Sequence, residues 1–493
     1  MGEEVELVRF TPEQRQRYRE KVGRCLDAFR RMVDEHRFEQ NLDRIGLELE
    51  IYLVDGSGTP MMINAEVLTR IESAAFQTEL AQFNIEFNLP PHEVESWVFR
   101  TLEDELTGCL AHALKRAAEL DARIVIVGIL PTLRDLHVTR ENLSRNPRYQ
   151  LLNEQILAAR GEDLQIDISG TERLTLTTSS IALESASTSM QLHMQVAPEL
   201  FARYWNAAAA ISAPQLAVAC NSPFLLGRQL WHETRIALFE QSTDTRTVEL
   251  AVQGVRPRVW FGERWIDGAV DLFEENVRYF PPLLPILDHE EPLDVIEQGG
   301  VPRLRELTLL NGTVWRWNRP VYGVTNGQAH LRLENRVLPA GPSAVDAIAN
   351  AVFYYGLLRA VAHEKPAISE RLAFELASEN FFAAARNGIT AQLSWPGIDF
   401  LPASELVLRH LLPLAHAGLE SWGIDGIDRE RYLGIIEGRC LSRRTGATWQ
   451  VATFQHLHET CGLDRDDALL EMTRRYIELM AANEPVHTWP LGQ

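Results

Sequence analysis

The stretch GLELEIYLVD, residues 46–55, alternates too strictly for a helix. Leu47, Leu49, Ile51 and Leu53 fall on one side, and Glu48, Glu50 and Tyr52 on the other. A period of two is the signature of a β-strand with one apolar face. The pattern recurs in three more segments. In FNIEFNLPP, Phe83, Ile85, Phe87 and Leu89 oppose Asn84, Glu86 and Asn88. In STSMQLHMQV, Met190, Leu192, Met194 and Val196 oppose Ser189, Gln191, His193 and Gln195. In AHLRLENRV, Leu331, Leu333 and Val337 oppose His330, Arg332, Glu334 and Arg336. Such strands build a mostly antiparallel sheet with one face for a core and one face for something polar.

The polar face has an unusual composition. A face that meets only water mixes Thr, Ser, Lys and Tyr. Lysine is rare throughout this chain (Lys21, Lys115 and Lys365 only), so its absence from these strands says nothing. The absence of Thr from the inner positions does. Taken singly, Glu-x-Glu is a solvated face, a strand His is a hydrogen-bonded structural residue, and Arg-x-Glu-x-Arg is a self-neutralising ladder. The recurrence in four strands predicts a shared surface holding Glu48, Glu50, Glu86, His193 and Glu334, with Arg332 and Arg336 at one side. Clustered carboxylates repel unless cations lie among them. Oxygen ligands with one imidazole suit Mg²⁺ or Mn²⁺. Neighbouring guanidinium groups suit a phosphate or carboxylate.

The remaining chain supplies the frame. Thr11-Pro12-Glu13-Gln14 carries a helix N-cap, a first-turn proline and a capping box, predicting a helix over 11–39. Helices are expected at 64–80 and 92–120, strands at 45–55, 82–89, 188–196 and 329–337, and a buried strand in RIVIVGIL, 123–130. Residues 131–180 read as polar and irregular, helices are expected over 198–220, and the proline-rich 281–292 reads as a loop. From Ser343 to about residue 482 the pattern is helical. The expected organisation is an α+β catalytic lobe, 1–342, with helices on the outside of a concave antiparallel sheet, followed by a helical C-terminal region, 343–493. At 493 residues the chain is long for one lobe.

Charge and motifs exclude several classes. The formal net charge of −20 repels nucleic acid and anionic membrane. No GxxxxGK occurs, so a P-loop is excluded. The five cysteines are scattered without CxxC spacing, which argues against a disulfide scaffold or zinc ribbon and fits a reducing cytoplasm. MGEEVELVRF lacks the apolar region of a leader, and no run of about eighteen apolar residues predicts a membrane span.

From about Ile45 to Val345 the chain resembles the glutamate–cysteine ligase family, within the glutamine-synthetase-like carboxylate–amine ligases. GLELEIYLVD resembles the family's Gly-x-Glu-x-Glu strand, FNIEFNLPP its Glu-containing strand, and SMQLHMQV the strand that sends Gln or His into the site. NSPFLLGRQLWHETRIALFEQSTDTR resembles the following SPF…G…SR stretch, with Glu233-Thr234-Arg235 where members often have Ser-Arg. LRLENRVLPAGP resembles the closing Glu-x-Arg strand. The resemblance implies a glutamine-synthetase-like fold and a reaction in which ATP phosphorylates the γ-carboxylate of glutamate and an amine, most simply cysteine, displaces phosphate. It implies Glu48, Glu50, Glu79, Glu86, His193 and Glu334 as ligands of Mg²⁺ or Mn²⁺. Arg336 would stabilise the transferring phosphoryl group, with Arg235 as a further catalytic group. Gln191, Arg332, Arg246 and Arg319 would contact substrate. Trp315 and Trp317 read as core or wall aromatics, and RRTGATWQ, 443–450, as either a helix cap or a phosphate contact. Small molecules would be the partners, with oligomeric state open. Two rival readings share the sequence: the same chemistry with another amine or acid, and a non-catalytic nucleotide-binding or regulatory paralogue.

Overall fold

The computed structural model describes residues 10–40 and 43–491. The N-terminal stretch read above for a leader lies outside the described residues, apart from Phe10. The four alternating segments do form one sheet. Six of its eight strands run in one path, β1 (Arg44–Val54), β2 (Phe76–Thr78), β3 (Asn84–Asn88), β4 (Met190–Gln195), β5 (Asn318–Thr325) and β6 (Gln328–Asn335), and two short ones pair with β1 beside it. The spatial order along the path is β5-β6-β4-β1-β3-β2, and each neighbouring pair is antiparallel. The period-two reading fixes the register: Glu50 stands opposite Glu86, Glu48 opposite Gln191, and Glu334 opposite His193. A slip of one residue would send every one of these groups into the core.

The leucine face of β1 is fully buried, at Leu47, Leu49, Ile51 and Leu53. It shares one continuous core with α1 (Pro12–Asp34), α2 (Val98–Ala118), α4 (Pro198–Ala219) and α5 (Ala344–His363), so the core runs straight across residue 342. α3 is the helix Pro147–Arg160. α5 is apolar and long enough to cross a membrane by length and composition, but 89% of that stretch is buried inside the protein. It supports the sheet from below: the Tyr355 hydroxyl lies 2.8 Å from the carbonyl of His193 and 3.1 Å from that of Gly46 and donates to them. Beside it, the fully buried Arg439 donates to Asp346 Oδ1 at 2.7 Å, to Asn350 Oδ1 at 2.6 Å and to the carbonyl of Val218 at 3.0 Å.

Several local expectations are revised. The helix expected over 64–80 stops at Ile71, because Glu72 caps it in the left-handed region (φ 52°) and Phe76 then pairs with Phe87 in the sheet. The helix expected from residue 92 starts at Val98, since His92–Glu93 is hydrogen-bonded to Arg44–Ile45. Only Arg123–Val125 of RIVIVGIL is a strand, paired with the end of β1. Residues 131–180 are irregular only up to residue 146: Asn146 caps α3, with Pro147 in its first turn, and Leu164–Ser169 and Arg173–Thr178 form a hairpin. The C-terminal helices enclose one hairpin, Gln392–Trp395 with Ile398–Pro402. The 443–450 turn is a cap. Thr445 makes a capping box at the start of Gly446–Gln455, and Gly446 leaves room for Asn221, whose Oδ1 would lie 2.0 Å from any added Cβ.

Removing one partner of a buried ion pair strands the other and costs about 3–5 kcal/mol. Arg439→Met is therefore expected to lower the thermal unfolding midpoint by several degrees. An unchanged midpoint would show that the Asp346 network does not hold α5 in place.

Candidate active site

Because the sheet alternates, Glu48 and Glu50 of β1, Asn84 and Glu86 of β3, Gln191 and His193 of β4 and Arg332 and Glu334 of β6 emerge on the same side, with Arg336 just beyond β6. There they line a cavity of about 450 Å³, closed by the end of β2, by α3 and by Trp315. Two sets of potential ligand atoms stand in it. Glu48, His193 and Glu334 form one, and Glu50, Glu79 and Glu86 the other; within each set the ligand atoms lie within 4.8 Å of one another.

The first set joins three strands. His193 Nε2 is 3.0 Å from Glu48 Oε1 but is not aligned as a hydrogen bond, and both ring nitrogens are buried without a hydrogen-bond partner. Burial works against ionised Glu334, yet Arg319, Arg336 and His193 hold its pKa far below the ordinary carboxylate range. Arg319 grips it with both ends of its fork, Nε on Oε2 and Nη2 on Oε1 at 2.9 Å. Arg336 Nη1 reaches Glu334 Oε1 at 3.1 Å and Gln191 Oε1 at 2.5 Å. Gln191 in turn donates to Glu50 Oε1 at 3.0 Å, so one amide joins the arginine to the second set.

In the second set the balance reverses. Glu50 accepts from Ser189 N at 2.7 Å and Ser189 Oγ at 3.0 Å, but burial and the charge of Glu86 push its pKa up to about 7. Glu79 and Glu86 are pushed up as well, by burial first and then by neighbouring carboxylates. Glu86 receives only neutral donors, Gln77 Nε2 at 2.5 Å and Asn88 Nδ2 at 3.0 Å. Three carboxylates, two buried and one half-buried, crowded together without an arginine between them fit a hard divalent cation, which supplies the missing charge and accepts an all-oxygen shell. The first set fits too, provided that Glu334 shares its oxygens with Arg319, which the lone pairs of a carboxylate allow. His193, with no partner of its own, has a nitrogen to give.

Arg332 also lines the cavity, with Nε buried and unpartnered, and burial pulls its pKa down. Two arginines named from sequence are placed elsewhere. Arg235 is fully buried behind β6, where it pairs with Glu233 at 3.1 Å and donates to the carbonyl of Val337. It holds the backbone that carries Arg336 and does not line the cavity. Arg246 is turned away onto Asp244, with Nε to Oδ1 at 2.9 Å and Nη2 to Oδ2 at 2.9 Å. Trp315 is a wall residue, whereas Trp317 is buried under Arg235, 5.8 Å from its guanidinium carbon.

Sequence reasoning missed Glu184, Arg148 and Tyr149, which also line the cavity. Burial and the charge of Glu50 push Glu184 up to about 8. It sits in a short 3₁₀ turn, Ile181–Ala186, where no period-two signal exists. The other two begin α3, and the Asn-Pro cap at 146–147 was the signal that could have found them.

The model of glutamate–cysteine ligase family 2 matches residues 44–456. Among solved structures, the chain is similar to the glutamate–cysteine ligase from Francisella tularensis in complex with AMP, at 12% identity and a TM-score of 0.49, over 91% of each chain. It is similar to a bifunctional glutathione synthetase from Pasteurella multocida at 12% identity and a TM-score of 0.48. That alignment covers 93% of this chain but 55% of the larger protein, so this chain spans little more than half of it. No curated protein matches the chain.

The uncompensated second set predicts metal binding without nucleotide. Titration with Mn²⁺, followed by electron paramagnetic resonance, is expected to show bound ion, and Glu86→Gln to weaken it at least about ten-fold. Equal binding by the wild-type and Glu86→Gln proteins would remove Glu86 from the ligands.

Proposed function

The chain belongs to glutamate–cysteine ligase family 2 and is an ATP-dependent carboxylate–amine ligase, and from that premise we propose that it joins the γ-carboxylate of glutamate to the amine of cysteine. The observation that carries the reading is the single cavity in which two carboxylate sets and the arginines of β5 and β6 meet.

The chemistry has two steps. A free carboxylate has no leaving group, so a glutamate γ-oxygen first attacks the γ-phosphorus of ATP, breaking the bond to the β,γ-bridging oxygen and releasing ADP. The amine nitrogen then attacks the acyl carbon. Phosphate leaves with its bonding electrons, the amine gives up a proton, and an amide remains. Mg²⁺ or Mn²⁺ held by Glu48, His193 and Glu334 and by Glu50, Glu79 and Glu86 would neutralise the triphosphate and hold it in line.

The arginines of the chain do the rest. Arg336 is clamped between Glu334 and Gln191, so it meets a phosphoryl group without first reorganising, and such fixed charge is worth most in a site closed to water. Arg332 has a spare buried donor for a carboxylate or phosphate. Arg319 orients Glu334. Arg235 acts at one remove, as a positioning residue for the Arg336 backbone.

Purified protein given ATP, Mg²⁺, glutamate and a panel of amines is expected to release ADP with cysteine. Release with another amine alone would replace the acceptor and keep the class, whereas no ATP turnover with any amine would overturn the reading. Arg336→Ala is expected to lower kcat by about 10²–10³-fold, the size of effect seen when one preorganised donor is lost. A near-normal kcat would remove Arg336 from phosphoryl transfer.

A further inference from the structure

A second cavity, of about 240 Å³, shares no lining residue with the first. The short strand Trp315–Arg316 separates them: Trp315 faces the active-site cavity and Arg316 faces the other. Arg316 is 1% exposed. Its Nη2 donates to Glu275 Oε2 at 2.7 Å and to Asn276 Oδ1 at 3.0 Å, and its Nε and Nη1 have no partner. Three N–H bonds are thus buried unused on one guanidinium, a costly state for a charged donor.

Arg256 stands beside it. Both guanidinium groups approach the Trp260 ring, at 5.0 Å for Arg316 and 5.4 Å for Arg256. Arg256 also stacks on Tyr279 at 3.4 Å, and its Nη1, without a hydrogen bond, lies 3.6 Å from Glu275 Oε1 as an ion pair. Burial, with the charge of Arg256 added, pushes Arg316 down to about 10. The acids around the cavity are already engaged: Glu263 with Arg256, Glu275 with Arg316, Glu274 with Arg278, and Asp271 with Arg264. The spare capacity of the cavity is therefore for an acceptor.

We propose that this cavity is a second binding site, which takes a small oxyanion, either a phosphate or the carboxylate of an organic acid, on the free N–H groups of Arg316, with the charge of Arg256 beside it. The planar guanidinium of Arg316 can donate to either anion. The cavity volume admits a small molecule.

The test uses the full chain carrying Arg336→Ala, which weakens phosphoryl binding at the active site. Inorganic phosphate and acetate are titrated calorimetrically in separate arms at constant ionic strength. Saturable binding is expected for at least one of them, and which one binds identifies the group recognised. Arg256→Gln, added to the same background, is expected to weaken that binding at least ten-fold while leaving the circular dichroism spectrum unchanged. Arg256 is the better target because it is less enclosed than Arg316. Failure of both anions to saturate, or an affinity indifferent to Arg256→Gln, would overturn the proposal.

Discussion

Carboxylates buried side by side on one sheet face repel, and the rest of the molecule is arranged around that repulsion. Glu50 and Glu86 stand opposite one another on neighbouring strands, in a register that the apolar faces of β1 and β3 enforce. Neither can turn away, because the other side of the sheet is closed core. The chain answers in two ways. On the β6 side it brings arginines, and Glu334 is held ionised. On the β3 side it brings only amides, and the charge of Glu50, Glu79 and Glu86 is left for something else to balance. That asymmetry separates a clamp built by the protein from a site that needs a cation.

Rigidity is what makes the asymmetry useful. Arg336 lies just beyond β6, and a strand end would ordinarily let it wander. Arg235 ties the following carbonyl from behind, and Gln191 and Glu334 hold the guanidinium from in front. Beneath the sheet, the Tyr355 hydroxyl ties the backbone of Gly46 and of His193, one residue on each of two strands that carry ligands. The helical C-terminal part thus reaches the site through backbone contacts, with no side chain of its own in the cavity among the described residues.

Much of this was legible in the sequence because strand periodicity is a strong, local signal. Which residues share a face follows from a period of two, and the apolar partners fix the register. So Glu48, Glu50, Glu86, Gln191, His193, Arg332, Glu334 and Arg336 could be placed together before any coordinates. What periodicity cannot reach is a residue carried by a turn or by a helix start. Glu184 and Arg148 belong to that group, as does the early stop of the 64–71 helix, where strand pairing of Phe76 overrides helical propensity. Arg235 and Arg246 show the opposite failure. Each falls in a motif-like stretch, yet Glu233 and Asp244, both close in sequence, take up their charge. An arginine two residues from a carboxylate has a local partner available, and only the fold decides whether it uses it.

Charge over the whole cavity gives the arrangement its direction. Glu48, Glu50, Glu79, Glu86, Glu184 and Glu334 face Arg148, Arg319, Arg332 and Arg336, so with all groups ionised the acids are in excess. An empty cavity of that sign repels a triphosphate and a dicarboxylate alike. One divalent cation in the Glu50 set cancels the excess, and a second, beside His193, turns the balance positive. The same side chains that exclude polyanions from the bare protein would then attract them. Substrate and metal are linked by this sign change: the bare site favours the cation alone, and the polyanion is favoured only once the cation is there. The arginines can accordingly stay few and fixed, since the variable part of the charge arrives with the ions.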